Sequence, residues 1–315
     1  MRPDAVVCDA FLFGAMIAAE AVRLPLALVV PNIWIMPTKG ATPMGPGLPP
    51  PKGPLGRARD NALRVVVDRL FASGLPPLNA ARAARGLPPL TSFYEQALRA
   101  ERIFVLSSPT FDYAAAHVPA NVEYVGPVLD DPGWAEPWTA PWPSDNEDPL
   151  VLVGFSSTFQ NQEALLGRIV AALAALPVRA VVTLGQMLPD SRLQGTANVQ
   201  VVGSAPHASI LRQASAVVTH CGHGTAMKAL AAGVPMVCIP MGRDQNDTAA
   251  RVVHAGAGVR ISPGASVTKI GAAVQRVLAE RRFRDAAGRL ATAIADEADD
   301  EALLAKCEDL AARTP

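Results

Sequence analysis

The chain has little of what marks several protein classes. Only four cysteines, Cys8, Cys221, Cys238 and Cys307, occur in 315 residues. They fit neither a zinc-ligand spacing nor a disulfide framework, so they read as small buried residues of a protein kept in a reducing cytoplasm. Aromatic residues make up 5% and charged residues 18%, and the formal net charge is zero. Arg and Lys are scattered rather than gathered into a stripe, so nothing calls for a nucleic-acid partner. No apolar run reaches the roughly 20 residues that span a bilayer. Asp4 and Asp9 interrupt the one N-terminal stretch that could pass for a signal peptide. No convincing Asp-x-Asp motif for a divalent ion is found, so neither a metal nor a cofactor is expected.

What is present is apolar bulk and one strongly punctuated stretch. Half of the residues are hydrophobic, enough for two ordinary cores, and the length suggests about two domains. The stretch runs from His220 to Gln245. Ala216 to Val218 reads as a buried strand, and Gly222 and Gly224 are expected to let the backbone turn into a helix begun by Thr225. A strand that empties onto a helix N-terminus presents free amide groups and the positive end of the helix dipole, a site for phosphate or diphosphate. Gly233 ends that helix, Val234 to Ile239 reads as the next parallel strand, and Asp244 and Gln245 follow its carboxyl end.

From its start the chain reads as strand (Asp4 to Cys8), Ala-rich helix (Phe11 to Arg23) and strand (Leu26 to Val30). A long loop follows, whose Gly-Pro-rich centre, Thr42 to Gly56, has no periodicity and is expected to be mobile. Helices are expected over Arg57 to Phe71 and Pro77 to Arg85, and strands over Glu101 to Leu106 and Val122 to Val125. Pro132 to Pro149, with three tryptophans and several prolines, reads as a linker packed on a surface. From Leu150 onward strands are expected at Leu150 to Val153, Ala180 to Val182, Val199 to Val202, Ala216 to Val218, Val234 to Ile239 and Gly258 to Ile261. Helical stretches separate most of them, the pattern of a complete doubly wound parallel sheet. Ligands in such sheets lie at the carboxyl ends of the strands. After Ser266 the chain reads as helical to its end.

His220-Cys221-Gly222-x-Gly224-Thr225, then Gly233-Val234-Pro235, Pro240 and Asp244-Gln245, resemble the donor-sugar signature of the UDP-glycosyltransferases, close to the bacterial macrolide-type and plant flavonoid-type enzymes. The match covers about ten positions of one β-α-β unit. It implies an α/β fold of GT-B type with two Rossmann-like domains. The expected division is an incomplete acceptor-binding domain over 1–131, a linker over 132–149, a nucleotide-sugar domain over 150–298, and a last helix over 299–315 packed back on the first domain. The implied reaction is the transfer of a hexose, with inversion, from a UDP- or dTDP-sugar to a hydroxyl of a small apolar acceptor, in antibiotic or other secondary metabolism.

The resemblance assigns roles to single residues, each with a structural alternative. Ser157 and Thr158 match hydroxyl donors to the donor phosphates, or else cap the helix after Asn161. His220 matches the diphosphate histidine, with Gly222, Gly224 and Thr225 completing that loop, while His223 fills a variable position. Asp244 and Gln245 match the pair that holds sugar hydroxyls, since a carboxylate and an amide together accept from and donate to a diol; Asp244 is also placed to cap the following helix. Two departures affect the nucleotide. Ser204-Ala205-Pro206-His207 lacks the family's stacking aromatic, leaving the Ala205 backbone and His207 to meet base or ribose. Lys228 stands where many relatives have a glutamate on the ribose diol, and an ammonium can only donate.

Val6-Val7-Cys8-Asp9-Ala10-Phe11 resembles the strand that ends in the aspartate of the family's His-Asp dyad, which makes Asp9 the catalytic candidate; the alternative is a strand-end cap. None of His117, His207, His220, His223 and His254 matches the dyad histidine, which in the family lies in a Gly-His-x-x-Pro turn near the start. The chain is therefore expected to lack the opening part of its first domain and to be weakly active or inactive alone, unless a partner chain completes that domain. Two other functions stay open: a non-catalytic nucleotide-sugar-binding partner, and a sugar-nucleotide epimerase on the same architecture.

Overall fold

In the computed structural model the described residues are all except 1–2, 132, 134–136, 156–161, 186–187, 189–190, 299 and 313–315, with backbone alone for 300–302. They pack as two units, Met1–Pro127 with Glu297–Pro315, and Val128–Asp296. The first seam thus falls at Pro127 rather than Asp131. The reason is local: Asp131 is bonded to Lys228 and to the backbone of Ala208, deep in the second unit's sequence.

The first unit is a parallel sheet in the order β1 (Val6–Asp9), β2 (Leu26–Val30), β3 (Arg102–Val105), β4 (Val122–Tyr124). Side chains alternate across it. Leu28, Val30, Ile103 and Val105 face a cluster with Met16 and Ala19 of α1 (Phe13–Ala21), with Trp34, and with Ala97 of α4 (Glu95–Leu98). Ala27 and Phe104 point the other way, onto Leu303, Cys307 and Leu310 of the last helix, α11 (Asp300–Ala312). The C-terminal segment therefore belongs to the core of the first unit. The expected helix at Phe11 starts two residues later, because the Asp9 carboxylate accepts from Phe11 N at 2.8 Å and holds residues 9–12 in a turn. The stretch Thr42 to Gly56 is loop only as far as Lys52: α2 (Gly53–Ala72) begins inside it, entered through Gly53 at φ +65°, with a proline in its first turn. α3 (Leu75–Ala83) follows directly.

The second unit is a six-stranded, wholly parallel sheet ordered β10 (Gly258–Arg260), β9 (Met236–Cys238), β8 (Ala214–Thr219), β5 (Leu150–Gly154), β6 (Arg179–Thr183), β7 (Val199–Val202). Strands buried on both faces read as continuous apolar runs, and Leu150 to Val153 are each 2% exposed or less. One face is covered by α5 (Glu163–Ala174) and α9 (Val267–Ala279), whose Leu166, Ile169, Ile270 and Val274 join Val151, Val153, Val182 and Val218 in one cluster. α6 (His207–Leu211) and α7 (His223–Ala231) lie against β8, α8 (Gln245–His254) precedes β10, and α10 (Arg281–Glu297) follows α9. The tryptophan-rich stretch is tied to the β7 edge: Trp138 Nε1 donates to Gln200 Oε1 at 2.8 Å, and Trp142 Nε1 to Ala197 O at 3.1 Å. Among the described residues no helix is long and apolar enough to cross a membrane.

The chain runs β5, β6, β7 in one direction and then returns to lay β8 on the other side of β5. This reversal makes the carboxyl ends of β5 and β8 the topological switch point, where open α/β sheets bind ligands.

Candidate functional site

The switch point is built around Gly154, the last residue of β5. A Cβ there would lie 2.9 Å from His207 Cε1 and 3.5 Å from Thr225 Cγ2, so the absent side chain is the space that lets both approach. His207 Nε2 lies 3.1 Å from Thr183 Oγ1 at the end of β6. His220, one residue past β8, donates to the Gly154 backbone. It also stacks on Phe155 with ring centroids 5.7 Å apart and sets Nδ1 3.5 Å from Thr219 Oγ1. Three residues singled out in the sequence, His207, His220 and Thr225, thus meet at a glycine that was not.

The turn from β8 into α7 differs from its expected form. The left-handed residue is Cys221, at φ +64°, not either glycine, and the helix begins at His223 with Gly222 as N-cap, two residues before Thr225. Such a conformation is strained for a residue with a Cβ. Here the thiol is fully buried, and Cys221 N donates to Thr219 Oγ1 at 3.2 Å. Gly222 is needed for space instead: a Cβ on it would sit 2.4 Å from His220 Nε2. Gly224 meets nothing within 4 Å and stands exposed on the first turn of the helix. His223, given no role in the sequence reading, is buried at 8% exposure.

Burial governs the electrostatics. His220 is 6% exposed; desolvation, opposed by its bond to Gly154 and assisted by the Arg243 charge, lowers its pKa to about 4. It is a neutral imidazole at pH 7. His207 is lowered by burial and by Lys228, against a smaller opposite pull from Asp131.

Lys228, read as an ammonium facing the ribose, has a partner that no local motif revealed. Its Nζ donates to Asp131 Oδ1 at 2.7 Å, with side-chain exposures of 13% for Lys228 and 16% for Asp131. Asp131 Oδ2 accepts from Ala208 N at 2.9 Å. Burial pushes that carboxyl up, but the bonds from Lys228 and Ala208 outweigh it and hold it below its usual value. The only hint in the sequence is the cation itself, set among Ala226, Met227, Ala229 and Leu230, a position that calls for a counter-charge.

On the far side of β8, the loop after β9 is closed by Gln245. Its Oε1 accepts from Met241 N at 2.7 Å and Gly242 N at 3.2 Å, and the residue is 2% exposed. The amide oxygen expected at a sugar hydroxyl thus clamps its own loop. Asp244 occupies the N-cap position of α8, but its side chain makes no capping bond, so the cap alternative fails and the carboxylate stays half-buried at the loop surface. Arg243 and Asp244 act electrostatically on His220 and Cys221 respectively, which sets this loop beside the β8–α7 turn. Ala205 is buried in the turn before α6. Ser157 and Thr158 lie outside the described residues. Asp9 ends β1 in the first unit, half-buried, with its carboxylate engaged by Phe11 N. Of the five histidines only His117 is in that unit, its Nδ1 3.0 Å from where a Cβ on Gly40 would stand. Among the described residues no group of three or more His, Cys, Asp or Glu is arranged to hold a metal.

Residues 167–310 match the family described as Erythromycin biosynthesis protein CIII-like, C-terminal domain. The chain is 34% identical over 294 residues to 4'-demethylrebeccamycin synthase of Lentzea aerocolonigenes, covering 91% of this chain and 69% of that protein. Among solved structures, the glycosyltransferase of kitacinnamycin superposes with a TM-score of 0.80 at 21% identity, over 100% of this chain and 76% of that one. The glycosyltransferase VinC in complex with dTDP superposes with a TM-score of 0.68 at 22% identity, over 99% and 72%. The parallel sheets, the switch-point histidines and these likenesses agree: the chain belongs to the glycosyltransferases of the antibiotic and secondary-metabolite type, with the GT-B fold.

Proposed function

We propose that the chain takes a hexose from UDP- or dTDP-sugar and moves it, with inversion, to a hydroxyl of a small apolar acceptor. The observation that carries this reading is the meeting of His207, His220 and Thr225 at Gly154, with the N-terminus of α7 opening beside them. A diphosphate there would meet the amides of the first turn, the Thr225 hydroxyl and the neutral His220 ring, whose one N–H would pass from the Gly154 carbonyl to a phosphate oxygen. Asp244, with no partner in its own helix cap, is the acceptor for sugar hydroxyls, and the Ala205 backbone and His207 lie on the nucleotide side. That VinC is described with dTDP bound supports a nucleoside diphosphate as ligand. No metal enters the reading, because the leaving charge is met by the helix end and His220. Four free cysteines, two of them fully buried, favour a cytoplasmic setting.

In the transfer, the acceptor oxygen forms a bond to the anomeric carbon while the bond to the diphosphate oxygen breaks and its electron pair leaves with the phosphate. The hydroxyl proton goes to a base, for which Asp9 is the candidate. General-base help is worth typically 10²- to 10⁴-fold. A carboxylate alone, already accepting from Phe11 N, supplies less than a dyad, so turnover on an ordinary alcohol should be slow. The test is titration calorimetry with UDP and dTDP. Both should bind, and His220→Ala should weaken them by about 1 to 3 kcal/mol. Unchanged affinity in that variant would remove His220 from the site.

A further inference from the structure

The first unit's four parallel strands all begin on the side away from Asp9. A cavity of about 460 Å3 opens there, between the end of α1 and the turns that lead into β2 and β3. That volume is in the range of small-molecule sites, roughly 300 to 1,000 Å3. One of its lining carboxylates is fully committed. Glu20 accepts two bonds from fully buried Arg82, one from Gln96 Nε2 at 3.1 Å and one from Arg99 Nε at 3.0 Å. Four donors use up the lone pairs of a carboxylate, so Glu20 holds Arg99 in place and has nothing left for a ligand. The far end of the Arg99 guanidinium is less engaged: Nη1 lies 3.7 Å from Glu95 Oε1, and Nη2 has no partner among the described residues.

Arg23 closes α1 in a Schellman turn. Its N–H donates to Glu20 O at 3.1 Å, Leu24 N donates to Ala19 O at 3.0 Å, and Arg23 itself stands at φ +58°. Glycine takes that position without strain, whereas an arginine there keeps a guanidinium at the cavity against a backbone penalty. Glu101 lines the same cavity, its backbone N–H bonded to Leu26 O at 3.0 Å. The two opposite charges do not meet. Neither side chain has an ion pair or hydrogen bond among the described residues.

We propose that this cavity binds a free α-amino acid with an apolar side chain, its carboxylate on the Arg23 and Arg99 guanidinium groups and its ammonium on Glu101. A simple anion would suit the arginines and be repelled by Glu101, and a simple amine the converse; a zwitterion matches both signs. Leu24, Pro25 and Leu26 give the ligand's side chain an apolar wall. The site stands at the amino ends of β2 and β3, so it does not rest on the glycosyl-transfer reading. A ligand there ties the end of α1 to the turn before β3 and steadies the first unit.

The test is titration calorimetry of the full chain with L-leucine, beside 4-methylpentanoate, which lacks the ammonium, and 3-methylbutylamine, which lacks the carboxylate. Saturable binding of L-leucine is expected, at least about tenfold tighter than either analogue, the effect of one charge-assisted bond. Glu101→Gln and Arg23→Gly should each weaken it by about tenfold or more. Arg23→Gly also relieves the left-handed backbone, so its unfolding temperature should not fall and a folding defect will not account for the loss. Leu55→Ala, on the exposed face of α2, should leave binding unchanged. No saturable binding of L-leucine, equal affinity in wild type and the two cavity variants, or an analogue that binds as tightly overturns the assignment.

Discussion

Two glycines at the switch point are positions of exclusion, where the missing Cβ holds a histidine in place. Gly222→Ala would put a methyl 2.4 Å from His220 Nε2, well inside the contact distance of a non-bonded carbon and nitrogen, so the ring must swing away from Phe155. We expect a folded protein, by circular dichroism, whose dTDP affinity falls at least as far as in His220→Ala. Gly154→Ala should displace His207 in the same way, with a smaller effect on the diphosphate. The pH dependence of stability follows from the same burial. The folded pKa of His220 is lowered from 6.5 to about 4, so between these values the unfolded chain binds the extra proton and the folded chain does not. Stability contributed by the neutral ring is complete above pH 6.5 and is lost as pH falls toward 4, up to about 3 kcal/mol. His207, shifted in the same direction, adds to that slope. Urea midpoints measured from pH 7 down to 4.5 should fall steeply for the wild type and less so for His220→Gln.

At the scale of elements, the Asp131–Lys228 pair joins the segment after the first unit's sheet to both α6 and α7. One carboxylate meets the Lys228 ammonium on α7 and the free Ala208 amide in the first turn of α6. At 13% and 16% exposure the pair is buried enough that removing one partner strands the other. Asp131→Asn should cost about 3 kcal/mol in urea unfolding, whereas the double change Asp131→Leu with Lys228→Met should recover most of it. Additive losses would show that the two side chains act independently. The loop after β9 has a parallel clamp in Gln245, so Gln245→Ala should free Met241 N and Gly242 N and loosen the loop that carries Asp244. A network of the same kind braces the first unit. Buried Arg82 is gripped by Glu20, Gln96 and the Pro88 carbonyl, and Glu20 also accepts from Arg99. The bonds from Arg82 hold the Glu20 carboxyl below its usual range against the opposing effect of burial.

For the whole molecule, two cores predict two responses. A nucleoside diphosphate should raise the unfolding temperature of the second unit by mass action and leave the first unit's transition in place. Leu310→Ala, in a helix more than 170 residues from its neighbours Ala27, Phe104 and Val125 in the chain, should do the reverse, lowering the first transition by a cavity cost of about 2 to 5 kcal/mol. Differential scanning calorimetry of both, with and without dTDP, would resolve the pair. A single transition shifted equally by either change would show that the units unfold together.

Strand positions and the turn from β8 into α7 were legible in the chain because they rest on short-range physics. Continuous apolar runs such as Leu150 to Val153, too short for a helix and bounded by turn residues, suit a strand covered on both faces, and β7 and β2 fall where the residue pattern put them. The pairing of His220 with a glycine-rich turn was legible for the same reason. Which glycine served which purpose was not, since Gly222 yields to a ring from two residues back and Cys221 takes the left-handed turn. Only the tertiary structure decided that Gly154 is the meeting point of His207, His220 and Thr225, that Asp131 neutralises Lys228 across 97 residues, and that Arg23 and Glu101 line one cavity. Local sequence sets which backbone a residue can adopt. What its side chain meets depends on strands brought together from distant parts of the chain, and there no local pattern carries the information.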